Sequence, residues 1–86
     1  MNTLTILHYY NGDWAGLYVN DKFVYSNHSI GIFEIKCFMP CEKIVEIDLD
    51  FYQNCVKYLD DYGDFPEDMS LSNFLKIDLE DEEDEN

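Results

Sequence analysis

The sequence contains no arginine and only five lysines, against nineteen aspartates and glutamates, which gives a formal net charge of −14. A surface that binds nucleic acid holds the phosphates with clustered lysine and arginine side chains. Aromatic platforms that stack single-stranded bases also lie in positively charged grooves, which five scattered lysines do not form. We therefore expect no direct contact with nucleic acid. An acidic chain of this kind instead favours a basic protein as its partner.

Long hydrophobic runs are also absent, since no stretch approaches the about 18–20 apolar residues that a membrane-spanning helix needs. The sequence shows neither a signal peptide nor a lipidation motif. Cysteine is scarce, with only Cys37, Cys41 and Cys55 in the chain. An odd number of thiols is typical of reduced cysteines in the cytosol. These features predict a soluble, cytoplasmic protein with no membrane partner.

The sequence lacks a catalytic or metal-binding motif as well. Cys37 and Cys41 have a spacing compatible with zinc, but Pro40 lies between them and no fourth ligand is nearby. Buried structural thiols are the preferred interpretation. His8 and His28 can each serve as a general base beside a carboxylate, but no nucleophile accompanies them, which favours structural histidines. We expect no catalytic residue, metal site or cofactor, and we predict that the protein is not an enzyme.

A strong β-hairpin signal is present near the start of the chain. Asn11 and Gly12 both tolerate the positive φ that the two-residue loop of a type I′ hairpin requires. This loop sets a register in which Tyr9 pairs with Trp14. A second turn within residues 20–22 continues the chain into a third strand. Residues 3–25 are therefore predicted to form a three-stranded β-meander around which the rest of the chain packs.

The alternation of side chains along these strands produces two faces, and both are apolar. The predicted aliphatic face carries Leu4, Ile6, His8, Ala15, Leu17, Val19 and Val24. The predicted aromatic face carries Tyr9, Trp14, Tyr18, Phe23 and Tyr25 with Thr5, Leu7 and Gly16. Both faces need a cover, which helices of this chain, a second copy or a partner can provide. The five aromatic residues are either an oligomer or partner interface or the larger side of the core.

The segment that follows the meander allows two interpretations. Residues 30–39 suit a helix that begins after Ser29, stops at Pro40 and buries Ile30, Phe33 and Cys37, but a buried strand is the alternative. We choose the helix. Residues 42–48 alternate and are rich in β-branched side chains, which predicts a strand at the edge of the sheet.

Two further helices are predicted in the second half of the chain. Residues 50–62 form the clearest one, with Asp50 and Gln53 at capping-box spacing and Gly63 at its end. Its apolar stripe consists of Phe51, Cys55, Val56, Leu59 and Tyr62. Ser70 or Ser72 then caps a short helix that carries Leu71, Phe74 and Leu75. Residues 78–86 contain seven acidic residues and are predicted to be a disordered tail.

These elements predict an α+β fold, in which an antiparallel sheet of three to four strands packs against two to three helices. Residues 1–77 are expected to form a single domain, which 86 residues are long enough to build, and residues 78–86 are its acidic, disordered tail. A domain of this size has a modest core, so a homodimer is a further partner that the apolar sheet faces allow.

Negative charge is concentrated in the second half of the sequence. Residues 1–41 hold three acidic residues and two lysines, a net −1, whereas residues 42–86 hold sixteen acidic residues and three lysines, a net −13. We predict that five acidic residues at a helix end and in an ordered loop contact a partner: Asp60, Asp61, Asp64, Glu67 and Asp68. The alternative is that the acidic residues serve solubility only.

In size and acidity the chain resembles the small phage-encoded inhibitors that block restriction, CRISPR or DNA-repair enzymes, several of which mimic DNA. The resemblance is one of composition and transfers no functional residues. It implies a non-enzymatic protein of the bacterial cytoplasm that often dimerises. The predicted function is inhibition of a DNA- or RNA-processing or defence enzyme through its basic nucleic-acid-binding surface. The alternative is a homo-oligomeric accessory or structural protein whose acidic residues only keep it soluble.

Overall fold

The computed structural model describes residues 2–9 and 13–84, and for residues 79–84 the backbone alone. Its strands are β1 Asn2–Tyr9, β2 Trp14–Val19, β3 Lys22–Asn27 and β4 Cys41–Asp48. Its helices are α1 Ile32–Ile35, α2 Gln53–Tyr62 and α3 Leu71–Asp84, with 3₁₀ turns at Lys36–Phe38 and Leu49–Phe51. The predicted α+β class is confirmed. No helix in the described part of the chain is long and apolar enough to cross a membrane.

The sheet has four strands in the order β3-β2-β1-β4. β1 and β2 pair antiparallel, as do β2 and β3, but β4 pairs parallel to β1. The sheet is therefore mixed, and the prediction of a purely antiparallel sheet is wrong. After β3 the chain crosses the sheet by way of α1 to reach the opposite edge, and such a crossover connects parallel strands. Because β1 and β3 are both antiparallel to β2, β4 is parallel to β1 as well.

The register of the first hairpin is confirmed over the described residues. Leu4 lies opposite Val19, Ile6 opposite Leu17 and Tyr9 opposite Trp14. The Asn11-Gly12 loop, on which that prediction rests, lies outside the described residues. The described strands nevertheless have the pairing that a two-residue loop requires.

The second hairpin turns at Asn20 and Asp21, whose φ angles of 50° and 77° match a type I′ turn. Phe23 then lies opposite Tyr18, but a bulge places Tyr25 rather than Val24 opposite Leu17. Because one extra residue reverses the alternation, Tyr25 lies on the aliphatic face. Its predicted position on the aromatic face is wrong.

The aromatic face of the sheet is covered by α2, α3 and the loop between them. The main core contains Leu7, Tyr18, Leu49, Cys55, Leu59, Phe65 and Phe74. Tyr18 is fully buried, with its ring edge-on to Phe23 at 5.5 Å and to Phe65 at 6.3 Å between ring centroids. The chain thus covers this face itself.

The aliphatic face has a smaller core and a smaller cover. Leu4, Ile6, Ala15, Leu17 and Ile35 form this second core. The predicted helix is present but short, and Gly31 rather than Ser29 precedes it, with its amide N–H bonded to Glu34 Oε2 at 2.9 Å. The predicted burial of Phe33 and Cys37 is wrong. So short a helix docks through a single residue, Ile35, while Phe33 and Cys37 are exposed.

The start of α2 also differs from its prediction. Asp50 belongs to the 3₁₀ turn and does not cap α2, whose N-cap is Tyr52 without a side-chain hydrogen bond. Asp78 of α3 instead accepts a hydrogen bond from the Asn54 amide at 3.0 Å. The end of α2 at Gly63, in the left-handed region with φ 86°, is confirmed. Of the predicted stripe, Cys55 and Leu59 are buried, and Val56 packs against them.

α3 begins as predicted after Ser70, whose hydroxyl accepts a hydrogen bond from the Asn73 amide at 3.1 Å. Its backbone continues to Asp84, into the segment for which the sequence predicts a disordered tail. Asp78 lies within this continuation and is held against α2 by the Asn54 amide. Residues 85 and 86 lie outside the described part of the chain.

Candidate functional site

The five acidic residues predicted to contact a partner lie close together in the chain, within residues 60–68. Asp60 and Asp61 belong to the last turn of α2, and Asp64 follows the glycine that ends this helix. Glu67 and Asp68 lie in the turn that leads to α3. All five residues are exposed. The end of one helix and its following loop therefore present five carboxylates to solvent.

Two of these carboxylates are attached to the sheet by hydrogen bonds. The Tyr9 hydroxyl of β1 donates to Asp60. Asp64 Oδ1 accepts from Trp14 Nε1 at 3.2 Å and from the Ser26 hydroxyl at 3.0 Å, and also from the Phe65 amide at 2.7 Å. The contacts fix the orientation of both carboxylates and join the loop to three strands.

The other three carboxylates carry no such contacts. Among the described residues, Asp61, Glu67 and Asp68 form no hydrogen bond or ion pair through their side chains. Lys76 and Lys22 line grooves beside Glu67 and Asp68, but no lysine in the described residues forms an ion pair with any of the three carboxylates. These three groups are therefore the ones that remain available to a basic partner.

An open groove of about 650 Å³ lies beside Glu67 and Asp68, between the loop and helices α2 and α3. Its walls are formed by Tyr58, Pro66, Glu67, Asp68, Met69, Asn73, Lys76 and Ile77. A second groove, of about 330 Å³, lies against the same loop and includes Phe23 and Met69. A long cationic side chain has an apolar stem and a charged end. In both grooves, Met69 can contact the apolar part of a lysine or arginine side chain, and Glu67 and Asp68 can contact its charged end.

The outer surface of α2 places aromatic rings beside these carboxylates. The rings of Tyr58 and Tyr62 lie 4.4 Å apart between centroids, and Tyr62 is 72% exposed. Asp61 lines a shallow depression with both rings. The sequence assigns Tyr62 to the buried stripe of α2, and its exposure shows that this assignment is wrong. Tyrosine is enriched at protein interfaces.

The five aromatic residues predicted as an interface do not form one surface. Tyr18 is fully buried, and Tyr9, Trp14 and Phe23 are half-buried against the main core. Tyr25 lies on the opposite face. In the described residues, the set therefore serves mainly as the larger side of the core, which is the other interpretation of the sequence. Tyr9 and Trp14 have the additional task of orienting Asp60 and Asp64.

The three thiols are free and lie in different environments. Cys37 is exposed, Cys41 is half-buried and Cys55 is buried. Burial, with the adjacent Asp78 carboxylate, raises the pKa of Cys55 from 9.0 to about 12. Burial likewise raises the pKa of Tyr18 above its usual range. Over residues 2–9 and 13–84, no three histidine, cysteine or acidic side chains are grouped as metal ligands.

One histidine contacts a carboxylate. His8 Nε2 lies 2.9 Å from Glu46 Oε1, joining β1 to the edge strand β4. Glu46 lies opposite Ile6 and Asp48 lies opposite His8 in the parallel register, so His8 and Glu46 are on the same face of the sheet. The contact therefore links two neighbouring strands.

Comparison of the chain with known protein families, with curated proteins and with solved structures finds no match.

Proposed function

We propose that the protein is a non-enzymatic inhibitor that binds the basic nucleic-acid-binding surface of a DNA- or RNA-processing or defence enzyme. The observation that carries the proposal is the exposed group of carboxylates within residues 60–68, two of which the sheet holds in place. A disordered acidic segment would have to be ordered on binding, at a cost in entropy. A group that is already ordered avoids much of this cost.

The carboxylates take the place of nucleic-acid phosphates in this mechanism. A duplex carries one negative charge per about 1.7 Å of its axis, and an enzyme that binds it presents lysine and arginine side chains. Asp61, Glu67 and Asp68 form ion pairs with these side chains, and the grooves beside Glu67 accept their apolar stems. The net charge of −14 accelerates the encounter with a basic surface.

The experiment is affinity capture from bacterial lysate with two variants of equal charge. The site variant combines Asp61→Asn, Glu67→Gln and Asp68→Asn. The control combines Asp13→Asn, Glu42→Gln and Asp50→Asn, three exposed acidic residues outside the loop. We expect the wild type and the control to capture a nucleic-acid-binding protein and the site variant to lose it.

The captured complex is then tested for its salt dependence and for competition by DNA or RNA. Ion pairs with a basic groove predict that affinity falls steeply with salt and that nucleic acid displaces the protein. Equal losses in the two variants would show that net charge alone acts. A complex that is insensitive to salt, or that nucleic acid does not displace, would refute the proposed mechanism.

A further inference from the structure

The two faces of the sheet are covered to very different extents. The aromatic face lies under α2 and α3, helices of 10 and 14 residues. The aliphatic face lies under α1 and the following 3₁₀ turn, which together span residues 32–38. Four strands at about 4.8 Å spacing are wider than the about 10 Å diameter of one helix. Strand side chains therefore remain exposed on both sides of α1.

The uncovered residues form an apolar surface around α1, which we term the α1 face. It consists of Val24 and Tyr25 of β3, Ile32 and Phe33 of α1, Met39 after the 3₁₀ turn and Ile44 of β4. Tyr25 and Val24 share an apolar groove of about 290 Å³ with Phe38. Ile44 lies opposite Leu4 and so belongs to the same face. All six residues are at least 40% exposed.

The outer side of α1 is itself apolar. Ile32 is 61% exposed and Phe33 is 76% exposed. A helix at the surface of a monomer normally turns polar side chains to solvent. Here two of the three side chains that α1 does not bury, Ile32 and Phe33, are as apolar as Ile35, which holds α1 to the sheet.

We infer that a second copy of this chain covers the α1 face and that the protein is a symmetric dimer. A two-fold interface brings the same surface of both copies together and must therefore be self-complementary. The α1 face meets this condition, because Glu34 and Lys36 border its apolar centre and provide one charge of each sign. Lys36 Nζ already lies 5.4 Å from the centre of the Phe33 ring. Each Lys36 can then face Glu34 of the other copy.

The α1 side of the sheet carries Glu46 and Asp48, which pair with Ile6 and His8, but it lacks the larger acidic group of residues 60–68. The carboxylates of residues 60–68 lie with α2 and its loop, on the opposite side of the sheet. In the dimer they are separated by two sheets and the helices between them, roughly 40 Å in all. This distance exceeds the screening length of about 8 Å at physiological salt several times. Contact through α2 would instead bring the acidic surfaces of the two copies together.

The inference does not depend on the proposed function. The dimer leaves both acidic surfaces free, so each particle offers two of them. Loss of either property leaves the other testable, because they lie on opposite sides of the sheet and respond to salt in opposite directions. Apolar contact between two acidic copies strengthens as salt screens their repulsion, whereas binding to a basic partner weakens.

The test is sedimentation equilibrium of the full chain at low and physiological salt, with Phe33→Ser and Phe51→Ser compared. Phe51 is 85% exposed and lies in the 3₁₀ turn before α2, so its replacement removes the same exposed ring outside the α1 face. We expect a wild-type dimer that tightens with salt. Phe33→Ser raises its dissociation constant about tenfold or more, and Phe51→Ser leaves it unchanged.

Circular dichroism of both variants verifies that they are folded, and Lys36→Glu provides a second test that retains the apolar residues. It places four like charges around the two-fold axis and is expected to weaken the dimer at low salt more than at high salt. A wild-type chain that remains monomeric at millimolar concentration would overturn the inference. Equal weakening by Phe33→Ser and Phe51→Ser, or a different protein bound at the α1 face of a monomer, would also overturn it.

Discussion

The carboxylate of Asp64 belongs to a strongly acidic surface, but its hydrogen bonds give it a structural role. It accepts hydrogen bonds from Trp14 of β2, Ser26 of β3 and the amide of Phe65. Asp61, three residues earlier, has no such partner among the described residues. Two acidic residues that are close in the sequence therefore have different roles, and sequence alone does not distinguish them.

This difference predicts opposite effects of the same substitution. Asp64→Ala removes the acceptor of three donors and is expected to lower the free energy of unfolding by about 1–2 kcal/mol. Asp61→Ala removes only repulsion within the acidic group and is expected to be neutral or slightly stabilising. Urea denaturation of both variants gives the comparison. Equal destabilisation by the two changes would contradict the assigned role of Asp64.

Gly16 lies beneath the ring of Phe65, and its lack of a side chain is a packing requirement. A Cβ atom at this position would lie 2.7 Å from Phe65 Cε2. The ring is buried between Tyr18, Phe23 and Phe74 and has little room to move. We expect Gly16→Ala to cost about 1–3 kcal/mol, measured by thermal or urea denaturation.

Gly63 provides the contrasting control, because it needs a glycine for its backbone alone. Its φ is 86°, and no atom lies within 4 Å of the position that a Cβ would take. Asparagine tolerates this region, so Gly63→Asn is expected to cost only a few tenths of a kcal/mol. A destabilisation by Gly63→Asn that matches Gly16→Ala would contradict the distinction between close packing and backbone conformation.

The raised pKa of the Cys55 thiol predicts that the free energy of unfolding decreases at alkaline pH. In the unfolded chain the thiol loses its proton near its ordinary pKa of 9.0, whereas in the folded protein its pKa is about 12. Between these values the unfolded state binds fewer protons, so a rise in pH favours unfolding by up to about 1.4 kcal/mol per pH unit. Tyr18 acts in the same direction above its ordinary value of 10.0.

The measurement is the urea midpoint at several values from pH 7 to 10. Cys55→Ala is expected to be less stable at pH 7, because a buried side chain is truncated, but to lose less stability between pH 9 and 10. Ellman's reagent should label Cys37 in the folded protein and Cys55 only after unfolding. Fast labelling of Cys55 in the folded chain would disagree with its burial.

Among the elements, α3 depends on a turn that is distant in sequence. Asp21, at the second hairpin turn, accepts the Leu71 amide through its backbone carbonyl. Its carboxylate accepts the Ser72 amide at 2.8 Å and the Ser72 hydroxyl at 2.9 Å. With Ser70 bonded to Asn73, three of the first amides of α3 have acceptors. The hairpin thus fixes where the helix begins.

Substitution of Asp21 tests this connection between the hairpin and α3. Its φ of 77° is acceptable to glycine and asparagine. Asp21→Gly keeps the backbone conformation but removes the carboxylate, and it is expected to cost about 1 kcal/mol by urea denaturation. Asp21→Asn retains an acceptor oxygen and should remain close to the wild type. A stability for Asp21→Gly equal to that of Asp21→Asn would show that the bond does not support α3.

At the scale of the whole molecule, the net charge of −14 opposes folding. Repulsion among the acidic residues destabilises the compact state, and salt screens it. The screening length falls from about 30 Å at 0.01 M salt to about 8 Å at 0.15 M. We therefore expect the thermal midpoint of the isolated protein to rise as sodium chloride increases over this range.

The salt measurement is carried out well below the concentration at which the wild type dimerises, or with Phe33→Ser, so that dimerisation does not contribute. Differential scanning fluorimetry or circular dichroism provides the midpoint. A midpoint that falls with salt would mean that internal ion pairs outweigh repulsion. The described residues offer one contact of that kind, between His8 and Glu46.

The sequence by itself determined the features that depend on neighbours in the chain. The register of the first hairpin followed from a two-residue turn and period-two alternation, and Gly63 and Ser70 marked the end of α2 and the start of α3. The concentration of acidic residues in the second half was likewise a property of the sequence.

The tertiary structure alone decided what depends on residues far apart. The bulge that turns Tyr25 to the other face, the parallel return of β4 and the capping of helices by Asp21 and Asp78 all arise where distant elements meet. Local propensities predict the secondary structure of a segment, but they do not predict which other segment it packs against. For the same reason, the sequence predicted two apolar faces, and only the fold decided that α2 and α3 cover one while α1 leaves the other partly open.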